Sequence, residues 1–100
     1  MKRVVLHSLA GREIRESIAF YNGERDGQGD RFREVVEDSL AIIGRRPKAF
    51  SPYPGGYRKY VLPRPFPYSI FYVEYDDHVW IAAVYHASRE PDAWKDRAPE

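Results

Sequence analysis

The chain has 100 residues, 43% hydrophobic and 31% charged, a composition typical of one soluble globular domain spanning residues 1–100. It contains no cysteine, which excludes disulfide scaffolds, thiolate metal sites and cysteine nucleophiles, and favours a cytoplasmic location. No apolar stretch approaches the roughly 20 residues of a membrane-spanning helix, and the apolar run Val4–Leu6 is too short for a signal peptide.

The N-terminal half predicts a strand followed by two helices. Residues 2–7 are typical of a short strand, and Ser8 is available to cap a helix over residues 9–24. Glycines interrupt the chain at residues 26–29, and a second helix is expected from Asp30 to Gly44. The connection is short, so the helices should pack as an antiparallel hairpin.

Pro47 ends the helical pattern, and residues 47–56 are expected to form a loop. Strands are then predicted over residues 57–62, 68–75 and 79–86, with a tight hairpin at residues 76–78. A short terminal helix is expected over residues 91–97, anchored by Trp94. The predicted fold class is α+β, in the order β-α-α-β-β-β with a short C-terminal helix.

The last two strands are apolar on both faces, which is typical of central strands with material packed on each side. Strict alternation places Ile81 and Ala83 on one face, and Trp80, Ala82 and Val84 on the other. The helical hairpin can cover one face of the sheet. The C-terminal segment or a second protein must cover the other.

Basic residues are concentrated in the middle of the chain, although the formal net charge is only +1. This arrangement predicts an anion-facing surface for nucleic acid or an acidic protein, with a solvated loop as the alternative. Residues 41–65 contain no acidic residue and six basic ones: Arg45, Arg46, Lys48, Arg58, Lys59 and Arg64.

The three histidines lack metal-ligand spacing, so no metal and no cofactor are expected. Arg58, His86 and Arg89 could meet at one end of the sheet and form a metal-independent ribonuclease site. His86 would then act as the acid or base, and the arginines would stabilise the phosphate. In the alternative interpretation, His86 and Arg89 bind the C-terminal segment to the sheet, pairing with acidic residues between 90 and 96.

Three segments together resemble the RelE/ParE family of type II toxin–antitoxin toxins: GDRFREVVEDSLAIIGRRP, YRKYVLPRPFPYSIFYVEYDD and VYHASREPDAWKDR. The resemblance covers nearly the whole chain in the right order. It implies a helical hairpin on a twisted antiparallel sheet. It also implies a cognate antitoxin that wraps over the toxin, forming a hetero-oligomer.

The family contains two activities. RelE-like members cleave messenger RNA on the ribosome and usually carry a catalytic arginine where this chain has Tyr68 and Ser69. The FPYSIFY segment is more similar to ParE-like, plasmid-stabilisation members, which inhibit DNA gyrase. We therefore expect a non-enzymatic gyrase inhibitor. A ribosome-dependent endoribonuclease using His86 and Arg58 and a non-toxic binding module are the alternatives.

If the chain is such a toxin, its residue types indicate candidate contact residues. Tyr60, Tyr68 and Tyr72 are candidate antitoxin contacts, with plain core positions as the alternative. Trp94 is a candidate target contact that could instead anchor the tail in the core. If gyrase is the target, the expected contact surface contains Arg58, Arg64, Arg89, Trp94 and Arg97.

Overall fold

The computed structural model describes residues 1–100 and has the predicted α+β architecture, with one additional strand. None of its helices combines the length and apolar character that crossing a membrane requires. The elements are β1 (Arg3–Leu6), α1 (Ser8–Glu24), α2 (Gln28–Arg45), β2 (Ser51–Tyr53), β3 (Tyr57–Val61), β4 (Tyr68–Glu74), β5 (His78–His86) and a 3₁₀ turn (Ala93–Asp96).

The five strands form one mixed sheet in the order β1-β5-β4-β3-β2. The expectation of a wholly antiparallel sheet is wrong in one respect, because β1 pairs with β5 in parallel. The predicted loop also contains β2, which pairs with β3 across a turn where Gly55 and Gly56 adopt φ values of 98° and 84°. Pro52 is tolerated in β2 because this strand lies at the sheet edge.

The helical hairpin is present, but its helix starts differ from the predictions. His7, not Ser8, caps α1, because its Nδ1 accepts the Leu9 N–H at 3.0 Å. The second helix begins at Gln28, after Gly27 in the left-handed region, and not at Asp30. Gly29 lets the helices approach closely, since a Cβ there would lie 2.2 Å from the Ile18 carbonyl oxygen.

Apolar side chains fill both faces of the sheet, as predicted. The first core cluster lies between the helices and the sheet and includes Phe32, Ile43 and Ile70. The C-terminal segment covers the opposite face, where Trp94 stacks on Phe71 with ring centroids 4.3 Å apart. The second core cluster there consists of Phe71, Trp80, Ala82, Ala83, Tyr85 and Trp94.

The strict alternation of faces predicted for residues 80–84 is wrong, because β5 contains a β-bulge. Phe71 pairs with Ala83, whereas Tyr72 pairs with Ile81, so Ala82 is the extra residue. Ala82 and Ala83 therefore both belong to the second core cluster. The strand resumes alternation after the bulge, which aims Val84 at the first core cluster.

The C-terminal helix is a single 3₁₀ turn, shorter than the predicted 91–97. It starts at Ala93, after Asp92 adopts a left-handed φ of 63°. Tyr53 donates a hydrogen bond to Asp92 at 2.6 Å, which holds the turn next to β2. The turn is thereby positioned to bury Trp94 against the sheet.

Candidate functional site

An open groove of about 620 Å³ lies between α1 and the end of β5. We call it the α1–β5 groove. Along its helical wall, the exposed apolar side chains of Leu9 and Phe20 flank the exposed charged side chains of Arg12 and Glu16, an arrangement suited to an amphipathic peptide. The lining residues are Leu9, Arg12, Glu13, Glu16, Ser17, Phe20, Tyr68, Val84, His86, Ser88, Arg89 and Arg97.

Glu13 forms the floor of this groove and is buried, although its neighbours Arg12 and Glu16 are exposed. It lies three residues after Ala10 on the inward face of α1. Its two oxygens accept hydrogen bonds from the Val84 N–H, from one Arg89 nitrogen at 2.6 Å, and from both terminal nitrogens of Arg97 at 2.8 and 3.0 Å. One carboxylate therefore serves two guanidiniums.

Arg97 is a structural residue and not part of an exposed contact surface. Its side chain is 9% exposed, and it also donates to the Ala82 carbonyl at the β5 bulge. The hydrogen bond to Glu13 raises the pKa of the guanidinium. The prediction of Arg97 as a target contact conflicts with this burial.

Arg89 shares Glu13 but stays half exposed, with its guanidinium 4.3 Å from the centre of the Tyr85 ring. The acidic partner expected for it between residues 90 and 96 is instead supplied by α1. Arg89 thus keeps free donors that point toward solvent in the groove.

His86 ends β5 at the rim of the same groove. Its Nδ1 accepts the Ser88 N–H at 3.0 Å and lies 2.7 Å from the Ser88 hydroxyl. The ring packs edge-on against Tyr68, its partner in β4. These contacts close the strand end and occupy the Nδ1 lone pair.

The structure does not bring Arg58 together with His86 and Arg89, as the ribonuclease hypothesis required. Arg58 pairs with Tyr72, and His86 pairs with Tyr68, four residues away along β4. Four residues span about 13 Å at about 3.3 Å per residue, and β3 and β5 flank β4 on opposite sides. Arg58 instead donates to the Phe50 carbonyl at 2.8 Å.

Two of the three tyrosines predicted as antitoxin contacts lie in the core, so these two predictions conflict with the structure. Tyr72 is fully buried, and desolvation raises the pKa of its hydroxyl to about 12. Tyr68 is 8% exposed and donates to the Ser17 hydroxyl under α1. Tyr60 is half-buried against Phe50.

Among the remaining predicted target contacts, Trp94 is 1% exposed, so it anchors the tail and offers no contact area. Its indole N–H is buried without a hydrogen-bond partner. Arg64 is exposed in the turn between β3 and β4, where a target could reach it. Arg58 is half-buried on β3.

A second charged cluster lies at the opposite end of the sheet. Glu74 accepts hydrogen bonds from Lys2 at 2.7 Å and from Lys48 at 2.6 Å. These two bonds hold the pKa of the Glu74 carboxyl below its ordinary value. Glu74 thereby neutralises the charge of Lys48, one of the six basic residues of the segment 41–65, which has no acidic residue of its own.

The sequence patterns missed three groove residues. In the sequence, Leu9 recurs near helical spacing with Ile14, Ile18 and Tyr21, which predicts a buried position, but it is 40% exposed. Phe20 lies outside that apolar set and is 60% exposed. No sequence signal identifies Phe20, because single exposed apolar residues are common on protein surfaces, and only the fold places it in one groove with Leu9. Glu13 stands in the sequence among the charged residues Arg12, Arg15 and Glu16, which predicts a solvent-facing position, but it is buried.

Comparisons with known proteins agree on one family. The family model described as the ParE toxin of type II toxin–antitoxin systems, parDE, matches residues 4–91. The chain is 30% identical over 93 residues to Toxin ParE2 in two strains of Mycobacterium tuberculosis, covering 92% of this chain and 88% of each relative. It shares the fold of a chain in the chromosomal ParDE system from P. aeruginosa, with a TM-score of 0.65, 14% identity, and coverage of 86% and 96% of the two chains.

Proposed function

Because this chain belongs to the ParE toxin family of type II toxin–antitoxin systems, we propose that it inhibits DNA gyrase by binding and not by catalysis. The observation that carries this proposal is the separation of Arg58 from His86. A ribonuclease would need an acid–base group and free guanidiniums around one phosphate. Here Glu13 binds both terminal nitrogens of Arg97 and one nitrogen of Arg89. This chain also has Tyr68 and Ser69 where RelE-like members usually carry a catalytic arginine. Such inhibition would take place in the cytoplasm.

The purified chain is expected to reduce supercoiling by gyrase and to leave messenger RNA intact. We expect His86→Ala to inhibit gyrase and growth within about twofold of the wild type, because general acid–base catalysis, worth about 10²–10⁴-fold, is not used. Plasmid supercoiling, double-strand breaks and message integrity should be followed in one culture after induction.

Codon-phased message cleavage that His86→Ala abolishes would contradict this proposal and favour the ribosome-dependent nuclease. Normal growth with folded protein present would instead favour the non-toxic binding module. In either case the fold and the family would stand, and only the activity proposed for the chain would change.

The antitoxin partner that membership of the family implies is best accommodated by the α1–β5 groove. Leu9 and Phe20 are exposed on the groove wall of α1, spaced for an apolar face of a helix or an extended segment. Arg12 and Arg89 beside them offer exposed guanidiniums for acidic side chains. The occupant we propose is an amphipathic, acidic segment of the antitoxin, giving a toxin–antitoxin hetero-oligomer.

Substituting Phe20→Glu is expected to weaken the complex with the antitoxin of the same module. A buried aromatic anchor is worth about 2 kcal/mol or more, so Kd should rise about 30-fold. Isothermal titration calorimetry checks this. The matched control is Ala19→Glu, which adds the same charge at an exposed neighbouring position outside the groove lining. Equal losses in both variants would place the antitoxin elsewhere.

A further inference from the structure

Basic side chains converge at the end of the sheet opposite the α1–β5 groove. The Lys2 N–H donates to the Gly44 carbonyl at 2.9 Å, which fixes the N-terminal segment beside the end of α2. Lys2 and Lys48 then meet at Glu74, the last residue of β4. Arg45 and Arg46 lie between these two anchoring points along the chain and are exposed.

Arg58 joins the same cluster through the sheet. It pairs with Tyr72, whose hydroxyl donates to the Pro47 carbonyl at 2.7 Å. Its own guanidinium donates to the Phe50 carbonyl, so it lies beside the segment that follows α2. We define the basic patch as Lys2, Arg45, Arg46, Lys48 and Arg58, with Glu74 as the carboxylate bound among them.

Most of the charge of this patch is not neutralised within the chain. Glu74 supplies one negative charge to two lysines. Arg45, Arg46 and Arg58 make no salt bridge at all, since the Arg58 bond goes to an uncharged carbonyl. Arg45 and Arg46 are exposed, whereas Arg58 is half-buried. Exposed guanidiniums that lack a counter-charge are suited to bidentate binding of phosphate.

Most aromatic rings near the patch pack within the chain. Phe50 packs edge-on against Tyr60 with centroids 4.7 Å apart, and Tyr72 is fully buried. Tyr75, whose carbonyl accepts a hydrogen bond from Lys2, is 40% exposed but has one ring face stacked on His78. Binding of single strands depends on exposed aromatic rings that stack on bases. Binding of a duplex depends on phosphate contacts instead. We propose that the basic patch binds the phosphate backbone of double-stranded DNA.

This inference deepens the proposed function, because a gyrase inhibitor with such a surface would contact the DNA that gyrase holds. That role rests on gyrase being the target. The binding itself does not, so it can be measured on the purified chain without gyrase.

The test is fluorescence anisotropy of a labelled random-sequence DNA duplex, titrated with the purified chain at several salt concentrations. Arg45→Gln/Arg46→Gln is compared with Arg31→Gln/Arg33→Gln, a pair about 20 Å away along α2 that loses the same charge. Arg31 and Arg33 are exposed. We expect the slope of log K against log salt to fall by about 2 in the patch variant and to stay at the wild-type value in the control.

Absence of duplex binding by the wild type would overturn the inference. An equal loss of duplex affinity in the two double variants would also overturn it, because the binding would then reflect net charge alone. Tighter binding of single-stranded DNA, or displacement of the duplex by polyglutamate at equal charge concentration, would also overturn it. Gyrase inhibition measured in parallel keeps the two proposals separate. A chain that inhibits gyrase without binding DNA refutes this inference alone, and a chain that binds DNA without affecting gyrase refutes only the target.

Discussion

Replacing Glu13 with alanine is expected to lower the free energy of unfolding by about 3–5 kcal/mol, because Arg97 would remain buried without its counter-charge. The Val84 N–H, also buried, would lose its acceptor at the same time. For a domain of this size, such a loss lowers the Tm by about 15–30 °C. Thermal and urea unfolding followed by circular dichroism give both quantities.

The control for this prediction is Glu16→Ala, one turn further along α1. Glu16 pairs with Arg12 on the exposed surface, so its removal should change stability by about 0.5 kcal/mol or less. If Glu13→Ala does not fold, the double variant Glu13→Leu/Arg97→Met should recover much of the lost stability, because it removes both buried charges. If Glu13→Ala were as stable as Glu16→Ala, the ion pair between Glu13 and Arg97 would contribute nothing to stability.

Truncating Trp94 to alanine should cost about 3–5 kcal/mol, the usual range for a large aromatic residue in a core. Trp94 is 1% exposed and stacks on Phe71, and Tyr57 packs edge-on against it at 4.8 Å. Its removal would open the second core cluster to solvent. Urea unfolding and binding of a hydrophobic dye by the native protein measure the two consequences.

Trp94→Phe is the matched variant, because it keeps a ring on Phe71 and loses only size. Within the chain the indole N–H has no hydrogen-bond acceptor, so replacing the indole with a phenyl ring leaves no acceptor of the protein unpaired. We expect the phenylalanine variant to be clearly more stable than the alanine variant. Unchanged stability of Trp94→Ala together with lost gyrase inhibition would instead restore Trp94 as a target contact.

Periodicity alone determined the existence and order of most elements of this protein. Repeats near 3.6 residues predicted α1 and α2, and the change to a period of two predicted β3, β4 and β5. The apolar character of both faces of β4 and β5 indicated that the sheet is covered on each side. The C-terminal segment, one of the two candidates, supplies the second cover through Trp94. Three segments of the sequence indicated the toxin family, and the comparisons with known proteins confirmed that resemblance.

Only the tertiary structure decided which distant residues meet. The spacing of residues in α1 could not show that Glu13 faces Arg89 and Arg97, because these arginines lie 76 and 84 residues further along the chain. Their pairing depends on how α1 crosses β5. The positions of Arg58 and His86 at opposite ends of the sheet follow from strand register, which local patterns do not encode. A period reports which face of an element is buried. It does not report what that face meets, because that is set by the packing of elements far apart in the chain.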